Sequence, residues 1–169
     1  MRRFASGDGE SFATLYRRYE GAVYGFCLRY LGDPDGAADA FQETFVRVID
    51  ARHRYRPRGK FKSWLFTIAR RVCADHYRRL SRTQAPLEAV HSTPSQVAAR
   101  GSSEGALMAR DEIVRLLAAL PADQREALLL SRWYGFTYRE IAEMSNSTEA
   151  AVKQRVYRAL VTLRRGGVR

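Results

Sequence analysis

The chain has 169 residues, with 29 Lys and Arg against 18 Asp and Glu, a formal net charge of +11 and a pI near 10.2. An apolar share of 46% with 28% charged residues excludes a disordered tail, and the basic excess points to a polyanionic partner, either nucleic acid or an anionic membrane surface. The longest apolar run, Leu116–Leu120, is five residues, too short for a membrane-spanning helix, and the two cysteines, Cys27 and Cys73, cannot form a disulfide framework.

Helical spacing recurs throughout, with no sustained alternation of period two. The first helix is expected over about Glu10–Tyr30, where Phe12, Leu15, Tyr16, Tyr19, Val23, Phe26, Cys27 and Tyr30 make one wide apolar stripe. Gly32-Asp33-Pro34-Asp35-Gly36 then makes a turn. A second helix, about Gly36–Ala51, buries Ala37, Phe41, Thr44, Phe45 and Val48. Its opposite face carries Asp39, Glu43, Val46 and Asp50, flanked by Gln42 and Arg47. That face is polar and acidic in an otherwise basic protein.

His53–Gly59 reads as a loop, and a third helix is expected over about Ser63–Leu80. Phe61, Leu65, Ile68, Ala69, Val72 and His76 line its inner side, while Ser63, Thr67, Arg70, Arg71, Ala74 and Arg78 line its outer side. Residues 52–79 hold ten Lys and Arg and one acid, Asp75, so most of the charge excess sits in this block. From His53 to Trp64 the cations alternate with rings. That pattern suits a single nucleic-acid strand, with cations along the phosphates and rings stacking on unpaired bases. The alternative is that Phe61, Trp64 and Phe66 are core and the arginines a solvated face.

Ser81–Gly105 is rich in small and polar residues, contains Pro86 and Pro94, and has no aromatic residue. It reads as a flexible linker, too long for one loop inside a compact domain, so two domains are expected. Beyond it, Leu107–Leu120 reads as a helix, and Pro121 opens another that Gly135 ends. Thr137-Tyr138-Arg139-Glu140 is a capping-box pattern that starts a short helix to about Met144. Ser145-Asn146-Ser147 makes a turn, and Thr148 caps a last helix to about Leu163. Short helix, tight turn and longer helix form the helix-turn-helix arrangement. The last helix buries Val152, Val156, Ala159, Leu160 and Leu163, and shows Ala150, Gln154, Tyr157 and Arg158 with Lys153 on the flank. Such residues suit a major groove. An ordinary amphipathic hairpin is the other reading.

Signals for an enzyme are poor. The chain has no phosphate loop and no metal-ligand pattern of useful spacing. Cys73 and His76 are three apart on a helix, but two residues are weak evidence for a metal, and His76 reads as a packed core histidine. No catalysis, metal or cofactor is expected. Rival readings are a dimeric helix-turn-helix repressor and a small nuclease. The cysteine usage and the lack of an apolar N-terminal segment suggest a cytoplasmic protein without membrane insertion.

Several stretches resemble bacterial sigma factors of the extracytoplasmic-function group, in the sigma-70 superfamily. Phe12-Ala13-Thr14-Leu15-Tyr16-Arg17-Arg18-Tyr19, Asp39-Ala40-Phe41-Gln42-Glu43-Thr44-Phe45-Val46-Arg47-Val48 and Phe61-Lys62-Ser63-Trp64-Leu65-Phe66-Thr67-Ile68-Ala69-Arg70-Arg71 are similar to successive parts of region 2. Leu120-Pro121, Arg125-Glu126, Tyr138-Arg139-Glu140-Ile141-Ala142-Glu143 and Ala151 to Leu160 are similar to region 4. The resemblance covers residues 10–80 and 107–164. It implies an all-α fold of two small helical domains joined by a flexible linker, with region 2 at residues 1–80, the linker at 81–106 and region 4 at 107–169. It also implies a transcription initiation factor that brings core RNA polymerase to promoters.

Asp39, Gln42, Glu43, Val46 and Arg47 would dock on the clamp helices of the polymerase β′ subunit, and region 4 on the β flap. Arg54, Tyr55, Arg58, Lys60, Lys62, Ser63, Trp64, Arg70, Arg71 and Arg78 would meet the opened −10 strand. Thr148, Lys153, Gln154, Arg155, Tyr157 and Arg158 would meet the −35 duplex. An anti-sigma factor is a further implied partner. The sequence departs from the family at Ser145-Asn146, where Leu-Gly is usual: Asn can supply the glycine conformation, but Ser145 removes an apolar contact.

Overall fold

The computed structural model describes residue 4 and residues 8–55, 60–83 and 112–166. Every regular element among them is helical. In chain order these are α1 (Gly9–Leu31), α2 (Pro34–Asp50), a short 3₁₀ turn (Arg52–Arg54), α3 (Phe61–Thr83), α4 (residues 112–118), α5 (Ala122–Arg132), α6 (Tyr138–Ser145) and α7 (Glu149–Gly166).

Local chemistry sets most boundaries. Asp8 caps α1 by accepting from the Glu10 amide. Gly32 ends α1 at φ 76°, a left-handed conformation that glycine adopts without a steric penalty. α2 begins two residues earlier than the periodicity suggests: Asp33 is its cap, accepting from the Gly36 amide at 2.7 Å, and Pro34 fills the first turn, where no amide donor is needed. α3 also outruns its expected limits at both ends. Its last three residues, Ser81 to Thr83, had read as linker. The rest of that stretch, and Arg58, lie outside the described residues.

α1, α2 and α3 form a three-helix bundle. Its core holds Val23, Phe26, Cys27, Ala37, Ala40, Phe45, Val48, Leu65, Phe66, Ala69 and Val72. Aromatic edges run through it: Phe45 packs on Tyr16 with ring centroids 4.7 Å apart, and Phe41 on Phe45 at 5.2 Å. Thr44 is fully buried without an orphaned hydroxyl, which donates to the Ala40 carbonyl at 2.7 Å. Cys27 and Cys73 are free, buried thiols facing each other, with Sγ atoms 3.6 Å apart. Burial and the neighbouring Cys27 push the Cys73 thiol well up, so it stays protonated and behaves as a small apolar residue.

α5, α6 and α7 form a second cluster around Ala127, Leu128, Ile141, Val152, Val156 and Ala159. Thr137 and Glu140 complete the capping box in both directions. Asn146 takes φ 49°, the left-handed conformation expected of it. The Ser145 hydroxyl donates to the Ile141 carbonyl at 2.7 Å, so the polar replacement in the turn is satisfied within α6. Thr148 accepts from the Ala151 amide at 3.1 Å and starts α7.

The two clusters pack together, α1 against α5 and α3 against α6. Phe66 meets Tyr134 at 4.8 Å and Phe136 at 5.3 Å, and Phe26 meets Tyr134 at 5.6 Å. Arg125, only 2% exposed, reaches from α5 across the junction. It donates to the Tyr30 carbonyl of α1 and to the carbonyls of Ala118 and Leu120, at 2.8 and 2.9 Å. The linker-joined domains expected from the sequence therefore share one aromatic and charged junction.

Candidate nucleic-acid interface

The amphipathic pattern of α2 buries its apolar face and turns Asp39, Gln42 and Val46 outward. Val46 is 56% exposed, a large apolar side chain at the centre of a polar surface. Glu43 and Arg47 are half-buried at its edge and already engaged. Glu43 pairs with Arg47 at 2.5 Å, and its other oxygen lies 2.7 Å from His76 Nε2. Arg47 also reaches Asp75, which pairs with Arg78. Hydrogen bonding to His76, with Arg47 adding to it, holds the Glu43 carboxyl below its ordinary range. His76 is therefore a hydrogen-bond partner of Glu43 at the α2–α3 seam, not the apolar core histidine that its helical position suggests.

The basic aromatic block turns its rings on one another. Tyr55 meets Trp64 edge-on at 4.9 Å, and Phe61 lies 5.7 Å from Trp64. Phe61 and Phe66 are buried, so part of the core alternative holds, while Trp64 is half-buried at the rim of a cleft of about 300 Å³. Tyr55, Lys60, Ser63, Trp64, Thr67 and Arg71 form one wall of that cleft; Glu140, Glu143 and Met144 form the other. The structure thus gathers five of the strand-contact candidates in one place. Arg54 is exposed on the 3₁₀ turn, and Arg78 is exposed farther along α3, engaged with Asp75.

The expected outer side of α3 needs correction. Ser63, Thr67, Arg70 and Ala74 are half-buried instead of fully exposed, and Arg70 is held by the second cluster. Arg70 is 17% exposed; its Nε donates to Glu126 at 2.8 Å and its Nη1 to the Met144 carbonyl at 3.1 Å. Burial pushes the Glu126 carboxyl above its ordinary range, with Arg70 pulling the other way. Lys62 donates to the Tyr134 carbonyl and sits 4.7 Å over the Phe136 ring. Tyr134 is itself desolvated, which pushes its hydroxyl up to about 12, against the pull of Arg29.

On α7, Lys153, Gln154, Tyr157 and Arg158 are exposed on one surface, with Tyr157 at 63%. Thr148 serves as the helix cap. Arg155 is half-buried and braced by Asp123 at 3.3 Å and Ser147 at 3.4 Å. The junction residues Arg125, Glu126, Tyr134 and Phe136 are what the sequence reading missed as a group. One signal was available: Arg125 precedes Leu128 and Leu129 by three and four positions, which puts an arginine on the apolar stripe of α5.

Among the described residues, no group of His, Cys, Asp or Glu is placed to hold a metal, and no helix is long and apolar enough to cross a membrane. Residues 15–83 match the family model for sigma-70 region 2, and residues 110–163 match that for sigma-70 region 4. The chain is 34% identical over 158 residues to the ECF RNA polymerase sigma factor SigC of Mycobacterium tuberculosis, covering 92% of this chain and 82% of that protein. It is 32% identical over 164 residues to the RNA polymerase sigma factor CarQ of Myxococcus xanthus, covering 97% and 93%. The sigma factor RpoE of Bartonella quintana, solved in complex with the anti-sigma factor NepR, shares the fold with a TM-score of 0.74 at 25% identity, over 92% of this chain and 96% of that one. The chain belongs to the sigma-70 family, in its extracytoplasmic-function group. It is a transcription initiation factor that directs RNA polymerase to promoters.

Proposed function

We propose a division of this work among three surfaces. The outward face of α2, centred on Val46 with Asp39 and Gln42 and edged by Glu43 and Arg47, docks on the β′ clamp helices of core polymerase. The cleft at the start of α3 takes the opened −10 strand: Lys60, Lys62, Arg70 and Arg71 serve the phosphates, Tyr55 and Trp64 the bases, and Ser63 contributes a hydroxyl. Arg54, Arg58 and Arg78 extend its positive field. The exposed face of α7, with Lys153, Gln154, Tyr157 and Arg158, enters the −35 major groove, while Thr148 and Arg155 hold the helix and its turn. Residues 1–80 and 107–169 act as regions 2 and 4, the latter also meeting the β flap, and 81–106 links them. An anti-sigma protein and a cytoplasmic setting complete the reading.

The observation that carries it is the placement of cations and rings together around the cleft of Tyr55, Lys60, Ser63, Trp64 and Arg71. Stacking on Trp64 and Tyr55 would offset the few kcal/mol that unstacking a base costs. The test is transcription with purified core polymerase on fragmented genomic DNA, followed by mapping of transcript 5′ ends. Chain-dependent starts sharing two upstream elements are expected, and Trp64→Ala should abolish them at low temperature, where melting is hardest. If adding the chain creates no new start sites, the reading fails.

A further inference from the structure

Two consecutive residues of α3 reach across to the two charged residues at the edge of the α2 docking face. Asp75 meets Arg47 at 3.4 Å, and His76 Nε2 lies 2.7 Å from Glu43 Oε2. Glu43 and Arg47 are one turn apart on α2 and paired at 2.5 Å. Arg78, Asp75, Arg47, Glu43 and His76 thus make one continuous chain of polar contacts, which reaches the surface at Glu43, one turn before Val46. The His76 side chain is 15% exposed and that of Glu43 28%. The ring is screened behind a carboxylate that a partner can still reach.

Within this chain only His76 can change its charge near neutral pH. The arginines stay cationic. Hydrogen bonding to Arg78, with Arg47 beside it, holds the Asp75 carboxyl below its ordinary range, and His76 does the same for Glu43. An imidazole titrates between about pH 5 and 8. A carboxylate only accepts, so Nε2 carries a hydrogen and donates to Glu43 whether the ring is neutral or protonated. The second proton adds a charge without a change of partner. Around this stretch of α3, α1 brings Cys27 to Cys73 and Tyr30 to Tyr77, and burial keeps the Tyr30 phenol and the Cys73 thiol protonated. The second cluster brings Arg125 to Tyr77 and Glu126 to Arg70, and on α3 itself Arg79 stands one turn beyond His76.

We infer that His76 is a positioning residue for polymerase docking: from α3 it holds the Glu43 carboxylate on the docking edge of α2, and the charge on its ring sets how well that carboxylate receives a cationic side chain of the polymerase. A cationic partner suits this face, where Asp39, Glu43 and Asp50 outnumber Arg47. The inference rests on the docking role proposed for α2. With the ring neutral, Glu43 offers its charge to the partner. With the ring protonated, the incoming cation meets a like charge behind the carboxylate and docking weakens. By linkage, docking in turn favours loss of the ring's second proton.

The test measures binding of the full chain to purified core polymerase from about pH 8 down to about pH 5.5, across the imidazole range. His76→Gln keeps an N–H for Glu43 and cannot gain a charge; His76→Lys carries a charge throughout and is the second variant should the first fail to fold. Wild-type affinity should fall at least about fivefold over that range, while His76→Gln stays near the wild-type alkaline value and His76→Lys near the wild-type acid value. Glu126 and the polymerase's own groups titrate equally in all three proteins, so the difference between profiles belongs to His76. A variant profile parallel to that of wild type, superimposed or offset by a constant factor, leaves His76 a structural residue and overturns the inference. Val46→Asp, run alongside, separates this from the docking role. If Val46→Asp binds as wild type does, α2 is not the docking face and both readings fail. If it weakens binding while the profiles stay parallel, the docking role stands and the inference about His76 alone fails.

Discussion

Single residues show where backbone geometry and side-chain pairing are decided. Asn146 carries the turn of the helix-turn-helix at φ 49°, where a Cβ-bearing residue with no local hydrogen bonding is strained. Asn146→Ala should lower stability by about 1 kcal/mol and Asn146→Gly should leave it level or raise it slightly, both read from thermal unfolding. The Glu43 cluster makes a prediction about pH. His76 and then Arg47 hold the Glu43 carboxyl below its ordinary 4.5. A lowered carboxyl contributes stability above the unfolded value, and that contribution is lost as the pH falls through the lowered one. His76→Ala should therefore move the Glu43 titration back toward 4.5, observed by NMR of the side-chain carboxyl, and flatten the acid limb of the stability curve. Glu43 is consequently a poor probe of polymerase docking, since altering it disturbs the α2–α3 seam as well.

At the scale of elements, Val46 is the cleaner probe. It is exposed and carries no charge of its own, so Val46→Asp should keep the fold and weaken binding to core polymerase at least about tenfold, as expected of a central apolar anchor. A pull-down with unchanged retention would remove α2 from the docking role. On α7, Arg158→Ala should cost about tenfold in −35 affinity of the holoenzyme, measured on a mapped promoter.

The elements are also where legibility in the sequence can be judged. α1, α2 and α7 were readable because each buries one face, so spacing reports it directly: Phe12 to Tyr30 in the first, Phe41 to Val48 in the second, Val152 to Ala159 in the third. The capping box and the Asn146 turn were readable because they are local chemistry. α3 was only half readable. It is buried on two sides, and its second partner, containing Glu126, Tyr134 and Met144, lies 56 to 74 positions along the chain from the residues it covers. No periodicity within α3 encodes that separation. The candidate surfaces followed from residue type, whereas the covering of Arg70 and Lys62 is a tertiary fact.

For the molecule as a whole, Arg125 joins the two helical clusters. Its guanidinium satisfies carbonyls of Tyr30, Ala118 and Leu120 and lies 5.2 Å from the centroid of the Tyr77 ring. Arg125→Met keeps much of the apolar stem but leaves three acceptors without donors, and should cost at least about 3 kcal/mol. It should also weaken the coupling of the two clusters in urea, because they then lose one of the charged contacts that join them, beside Arg70 with Glu126; a single unshifted transition would deny Arg125 that role.

The aromatic content of the junction adds a thermal property to the protein. Separating Phe66 from Tyr134 and Phe136 hydrates ring surface, so the separation carries a positive heat-capacity change. Apolar association weakens on cooling, so the contact between the two clusters should loosen as the temperature falls, even at constant protein concentration. A sigma factor held together this way would be more readily separated in the cold, where promoter duplexes are hardest to melt.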